Sequence, residues 1–197
     1  MRHDISITGF AYRLRPATVD DSAFILKLRN NPELARYINA TSSCLADQEL
    51  WFKAYEERSG DYYFIIENQD GQPEGTIGLY DLDKDHTKAE WGRWILLPGS
   101  KAATESAWLI YRIAFEQLGL DYVYCRTVAD NEKVVSFHDS FGVKRQAVLP
   151  GLFELNGRSH DAIEHGVVRN DWGTISLRLK KLCERLAKLL QRSEATS

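Results

Sequence analysis

The sequence predicts a mixed α/β domain, and three observations carry that prediction. Tyr62–Glu67 (YYFIIE), Glu74–Leu82 (EGTIGLYDL) and Ala89–Leu97 (AEWGRWILL) are successive strand-forming runs joined by short turns, which reads as an antiparallel meander. A helix opening at Ser100, the strand Tyr122–Val128 (YVYCRTV) and a helix from Glu132 then alternate, and alternating β and α units bring in parallel pairing. Finally, Lys144–Glu154 and Ser159–Val168 flank Asn156-Gly157, the strongest short signal for a hairpin closed by a type I′ turn.

The elements follow in order. Ala11–Arg15 (AYRLR) is a short alternating strand closed by Pro16. Thr18 caps a helix whose first turn carries Asp20 and Asp21, acids that suit the positive end of the helix dipole. Phe24, Ile25 and Leu28 give that helix its buried face, and Asn30-Asn31-Pro32 breaks it. A second short helix is expected around Leu34, Tyr37 and Ile38, and a third over Leu45–Arg58 with Leu50, Trp51 and Tyr55 apolar. Asp70-Gly71 marks the turn between the first two central strands, Asp83–Lys88 is a charged turn, and Pro98-Gly99 stops the third. The helix from Ser100 to Leu118 has its apolar positions at Leu109, Ile110, Ile113, Ala114 and Leu118, and Gly119 ends it. After Asn131, Val134, Phe137 and Phe141 recur at helical spacing before Gly142, and His138 sits on that helix. From Thr174 to Arg192, Leu179, Leu182, Leu186 and Leu189 form a narrow seam beside a basic face that carries Arg178, Lys180, Lys181, Arg185, Lys188 and Arg192. The seam either packs on the domain or pairs two copies as a homodimer; a basic amphipathic helix can also lie on anionic lipid. The organisation expected is one domain over residues 1–172 followed by an amphipathic helix and tail over 173–197.

Composition removes several classes of function. A chain of 197 residues suffices for one core without disulfide staples. A net charge of −3 argues against a general nucleic-acid binder, which carries a basic excess. Three cysteines, Cys44, Cys125 and Cys183, and five scattered histidines make no CxxC, HxxxH or HExxH, so no metal site and no disulfide frame are expected. No apolar run reaches membrane-spanning length, and MRHDISITG has no signal-peptide core. The expected setting is the cytoplasm.

The loop Pro98-Gly99-Ser100-Lys101-Ala102-Ala103-Thr104 joins a strand to a helix N-terminus, where free backbone N–H groups and the dipole favour phosphate. It is neither a Walker loop nor GxGxxG, and every strand–helix junction shares this geometry.

The order of elements, with "AEWGRWILLP…ATESAWLIYRIAFEQLGLDYVYCRTVADNEKVVSFHDSFGV" and "LNGRSHDAIEHGVVRNDW", resembles the GCN5-related N-acetyltransferases (GNAT) over Tyr12 to Trp172. "ATES…AF..LGL" with Asn131 resembles the Rim-type branch. "LRNNPELARY", "YYFIIE", "GTIGLYDLD" and "AEWGRW" are similar to enzymes that acetylate a nucleotide-linked 4-amino-4,6-dideoxy sugar, as in pseudaminic-acid pathways. The resemblance implies a mostly antiparallel sheet in which two parallel strands, Ala89–Leu97 and Tyr122–Val128, splay to receive acetyl-coenzyme A. Transfer of acetyl to the primary amine of a nucleotide-activated amino sugar is then expected, by direct attack in a ternary complex, because no base is evident beside Cys125. The alternatives are acetylation of a protein N-terminus or another small amine, and a non-catalytic acyl-coenzyme A sensor.

The resemblance also assigns sites. Trp94, Ile95 and Leu96 on the strand, then Ser100, Lys101, Ala102, Ala103 and Thr104 in the loop, would hold the cofactor, together with Asn131 and His138. The family's pyrophosphate loop reads Arg/Gln-x-x-Gly-x-Gly/Ala; here Ala102 and Thr104 replace glycines in one register, and in another the loop is two or three residues short. His138 falls where the family has a tyrosine acid, and an imidazolium is suited to neutral pH; the alternative is a packed or exposed histidine. Glu90, opening the cofactor strand, is the base candidate, with Asp81 as its alternative. Arg29, Asn30, Tyr80, Asp81, Trp91 and Arg93 are the acceptor-binding candidates. The His160-Asp161 pair either orients substrate or is an exposed hairpin pair.

Overall fold

The computed structural model describes residues 3–39 and 41–194. One eight-stranded sheet runs in the order β1-β2-β3-β4-β5-β6-β8-β7. Its strands are β1 (Ile7–Thr8), β2 (Tyr12–Pro16), β3 (Tyr62–Asn68), β4 (Pro73–Tyr80), β5 (Lys88–Leu96), β6 (Tyr122–Val128), β7 (Lys144–Leu155) and β8 (Arg158–Val168). Every neighbouring pair is antiparallel except β5–β6. The mixed α/β fold and its mostly antiparallel sheet are those expected from the sequence.

The helices are α1 (Ser22–Arg29), α2 (Leu45–Glu56), α3 (Ala103–Arg112), α4 (Glu132–Ser140) and α5 (Arg169–Glu194). Strand alternation sends side chains to two faces. Tyr63 and Ile65 of β3 meet Ile25 of α1 and Phe52 and Tyr55 of α2 on one face. Phe64, Ile66, Ile77, Leu79 and Trp91 meet Trp108, Leu109 and Tyr111 of α3 on the other.

Four local expectations are corrected. No helix forms around Leu34, Tyr37 and Ile38; the segment makes separate turns, in which Asn31 Oδ1 accepts the Glu33 N–H (2.9 Å) and Ile38 N–H reaches back to Ala35 O (3.2 Å). A stretch this short cannot meet the cost of helix nucleation once asparagine competes for its N–H groups. α3 opens at Ala103, three residues after Ser100, because the Ser100 hydroxyl is bonded to Glu74 Oε2 at 2.6 Å. α3 then widens into a π turn over Ile113–Gln117 before Gly119, which takes a left-handed backbone with φ of 73°. The C-terminal helix starts at Arg169, directly after β8.

The leucine seam divides in two. Leu179 is buried and joins Trp172, Ile175, Cys183 and Ala187 in the α3-side core, whereas Leu182 and Leu189 are exposed. The buried stripe therefore runs through residues that a leucine count overlooks. The expected junction between residues 172 and 173 lies within α5, and residues 195–197 of the expected tail lie outside the described residues.

Candidate active site

β5 and β6 pair only through Lys88–Tyr122, Ala89–Val123 and Glu90–Tyr124. Beyond Glu90, β5 stays with β4 and β6 stays with β8, so the two parallel strands separate and open the sheet. A cleft of about 120 Å³ occupies the opening. Trp91, Trp94, Val128 and Val134 give it apolar walls, Asn131 and Arg126 line its polar side, and Tyr37 and Ile38 reach it from the connection between α1 and α2.

β5 is irregular where it faces this cleft. Its register against β4 shifts between Thr76 and Gly78, and Arg93 takes a left-handed backbone with φ of 49°. For a non-glycine residue that conformation costs about 1–3 kcal/mol and must be held by its surroundings. Asp61 supplies a bidentate partner, with Arg93 Nη2 to Asp61 Oδ2 at 3.0 Å, and the guanidinium lies 4.4 Å from the Tyr80 ring centroid. Gly92 permits this packing, since a Cβ there would lie 2.3 Å from the Tyr80 hydroxyl. Arg93 also lines a second cavity of about 240 Å³ on the α1/α2 face, with Arg29, Asp47, Gln48 and Trp51. The two cavities therefore share a wall through the splayed sheet.

Glu90 stands at the closed end of the V on the same face as Tyr80, opposite which it pairs. It is 7% exposed, and burial pushes its carboxyl up to about 7, against the opposing pull of Arg126. Arg126 Nη1 lies 3.2 Å from Glu90 Oε2, and the Tyr80 hydroxyl 3.5 Å from Oε1. A carboxylate that titrates near neutrality next to a cleft has the properties of a general base.

His138 lies on the other face. It is 2% exposed, with its ring near those of Trp91, Phe137 and His165. Burial and the neighbouring His165 lower its pKa to about 3. The expected imidazolium is thus corrected to a neutral imidazole, because the loss of water outweighs the opposing pull of Asp139. His138 Nε2 is 3.5 Å from Cys125 Sγ, so the cysteine does have a basic neighbour. Burial raises the Cys125 thiol well above its ordinary range, however, which leaves an uncharged thiol–imidazole contact instead of a thiolate.

The family profile described as "Acetyltransferase (GNAT) domain" matches residues 12–144. This chain belongs to the GNAT family. It is an acetyl-coenzyme A-dependent N-acetyltransferase. It is 26% identical to spermidine N(1)-acetyltransferase of Escherichia coli (strain K12) over 170 residues, 84% of this chain and 90% of the relative. Among solved structures, apo FdhC, described as a nucleotide-linked sugar GNAT, is 28% identical with a TM-score of 0.75, covering 89% of this chain and 97% of its own. Spermidine N-acetyltransferase from Vibrio cholerae in complex with CoA and spermine shares the fold at 21% identity and a TM-score of 0.76, over 82% and 98% of the two chains.

The GNAT cofactor fits what the chain offers. The apolar walls of the V suit the acylated end of a pantetheine arm, and Asn131 stands at the mouth. At α3 the N-cap residue Ala102 makes no side-chain cap, so the N–H groups of the first turn are available to a diphosphate. Lys101 is exposed beside them, whereas Ser100 is engaged with Glu74 and accepts the Ala102 N–H at 3.2 Å. Of the expected cofactor residues, Trp94, Asn131 and His138 line the cleft. Ile95 is packed in the interior, Leu96 covers Gly75, and Ala103 and Thr104 open α3. No group of three or more metal-ligating side chains occurs among the described residues.

Of the expected acceptor residues, Arg29 and Arg93 line the α1/α2 cavity and Trp91 lines the cleft. Tyr80 lies under Arg93 beside Glu90, whereas Asn30 and Asp81 are exposed at element ends, Asp81 with φ of 55°. Sequence reading missed Arg126, Asp47, Gln48 and Phe153. Only Arg126 carried a signal, since its alternation on β6 places it opposite Cys125's face. His160 and Asp161 also acquire partners: His160 Nδ1 lies 2.8 Å from Asp130 Oδ2, and Asp161 Oδ1 accepts the Gly151 N–H at 2.9 Å. The first contact ties β8 to the loop before Asn131, and the second ties the irregular part of β7, which carries Phe153, to β8.

Proposed function

We propose that this enzyme acetylates the primary amine of a nucleotide-activated amino sugar by direct attack in a ternary complex. The observation that carries the reading is the α1/α2 cavity, joined to the cofactor cleft by Arg93, which is itself paired with Asp61. Arg29 is the cation left in its lining to meet a phosphate, with Asp47 as the acid there. Arginines recognise phosphate through charge-assisted hydrogen bonds, and a polycation would gain little there. The likeness to a nucleotide-linked sugar GNAT over most of both chains supports the same choice. The setting this implies is the cytoplasm.

In this reading Glu90 takes a proton from the substrate ammonium, directly or through a water, and the freed amine attacks the thioester carbonyl. The C–N bond forms, the C–S bond breaks, and the departing thiolate takes up the proton lost by the new amide nitrogen. Arg126 and Tyr80 hold the Glu90 carboxylate in place. The β5 backbone past Arg93 faces the acyl carbonyl, and amide N–H groups there would stabilise its developing charge. His138 stays neutral beside the departing sulfur and gives shape and a hydrogen-bonding edge, not a proton. His138→Ala is accordingly expected to lower kcat about tenfold or less and to leave the pH–rate profile in place. A loss beyond ~10²-fold would return the ring to the acid's role.

The likeness to spermidine acetyltransferase supports a second reading, a polyamine acceptor, because Asp81 and Glu164 add negative charge around Glu90. Release of free coenzyme A thiol, followed with a 4-amino-sugar nucleotide, with spermidine and with an N-terminal peptide, separates the candidates. The sugar nucleotide is expected to lead in kcat/KM by about tenfold or more, the worth of one charge-assisted phosphate contact from Arg29. Equal or faster turnover of spermidine would overturn the proposal.

A further inference from the structure

The structure assigns Arg126 as the positioning residue that keeps Glu90 available as a base at neutral pH, in competition with Glu164; the inference rests on the reading of Glu90 as the base. Arg126 bridges two carboxylates from strands on either side of it. Its Nη1 is 3.2 Å from Glu90 Oε2 and its Nε is 3.0 Å from Glu164 Oε2. Strand register brings both acids within reach: Arg126 lies directly opposite Glu164 in β6–β8, and Glu90, the last residue of β5 that pairs with β6, lies opposite Tyr124, two residues before Arg126. The guanidinium also lies over the Tyr124 ring, 4.8 Å from its centroid. The Tyr122 hydroxyl, 3.4 Å from Glu164 Oε1, steadies the competing acid.

The surroundings of Glu90 set the sign of the effect. From β4 it faces the Tyr80 hydroxyl and, at the strand end, Asp81; from β6 it faces Tyr124 and Arg126, with the Cys125 thiol on the opposite face of the strand but within electrostatic reach; from β8 it faces Glu164. Arg93, on its own strand, is committed to Asp61. Arg126 is thus the cation in direct contact with the Glu90 carboxylate. Without it, a desolvated carboxylate beside two further acids would hold its proton well into the alkaline range, and would be spent as a base at neutral pH. Glu164 acts in the opposite sense twice over, by its own charge and by drawing Arg126 away.

Two substitutions should therefore move the pH dependence of kcat/KM in opposite directions. Arg126→Gln is expected to shift the midpoint of the rising limb upward by about one pH unit or more, and Glu164→Gln to shift it downward. Arg126→Lys should restore most of the wild-type midpoint, because the charge returns without the bridging fork. A packing defect alone would lower the rate without moving the midpoint in either sense. Glu90→Gln serves as the reference. If it retains the limb, Glu90 is not the base and the underlying reading fails. If it loses the limb while Arg126→Gln and Glu164→Gln leave the midpoint in place, the assignment of Arg126 alone is overturned. Acetyl-coenzyme A binding, followed by calorimetry on each variant, verifies that the cofactor site is intact.

Discussion

Replacing Glu90 by glutamine is expected to reduce kcat by ~10²–10⁴-fold, the usual contribution of a placed acid or base. It should also erase the dependence of rate on pH. In the wild type, burial raises the Glu90 carboxyl to about 7. The base is competent only when ionised, so the rate should climb about tenfold per unit below that value and level off above it. Glutamine keeps the size and one acceptor oxygen, and it cannot take the proton. A Glu90→Gln enzyme that retains both its rate and the rising limb would move the base elsewhere, with Asp81 next in position.

The second large effect concerns stability. Glu105, in the first turn of α3, has no solvent exposure, and its carboxylate accepts the backbone N–H groups of Phe10, Ala11 and Tyr12. Gly9 allows this close approach, since a Cβ there would lie 2.0 Å from Glu105 Oε1. Burial pushes the carboxyl up while those three N–H groups and the positive end of α3 favour the ionised form. Glu105→Ala leaves the three N–H groups without their acceptor, which is expected to cost about 3–5 kcal/mol. Urea denaturation would read this as a lowered midpoint. A loss below about 1 kcal/mol would show that water replaces the carboxylate at little cost. The effect extends beyond stability, because the same turn of α3 opens the site offered to the diphosphate.

Much of this protein was legible from local chemistry. Asn156-Gly157 and Asp70-Gly71 demanded turns whatever surrounded them, and β-branched and aromatic runs marked the strands on either side. The junction at Asn131, between YVYCRTV and a helical spacing, marks one wall of the cleft by local pattern alone. Charge state was another matter. His138 looked suited to an imidazolium because isolated histidine titrates near neutrality. It is neutral because Trp91, Phe137 and His165, drawn from three other places in the chain or beside it, exclude water from its ring.

The acceptor side was hidden for a related reason. Asp61 with Arg93, and Glu90 with Arg126, are separated by 32 and 36 residues in the chain, and no periodicity links such partners. Their meeting follows from strand register, where one residue of slip would send each side chain to the opposite face. The sequence alone determined the strands, their turns, the apolar faces and the family, because those rest on interactions between near neighbours or on patterns each segment carries by itself. Tertiary structure decided which ionisable groups are dry, which are paired, and therefore which carry charge at neutral pH, since desolvation and long-range pairing exist only once the sheet has closed around them.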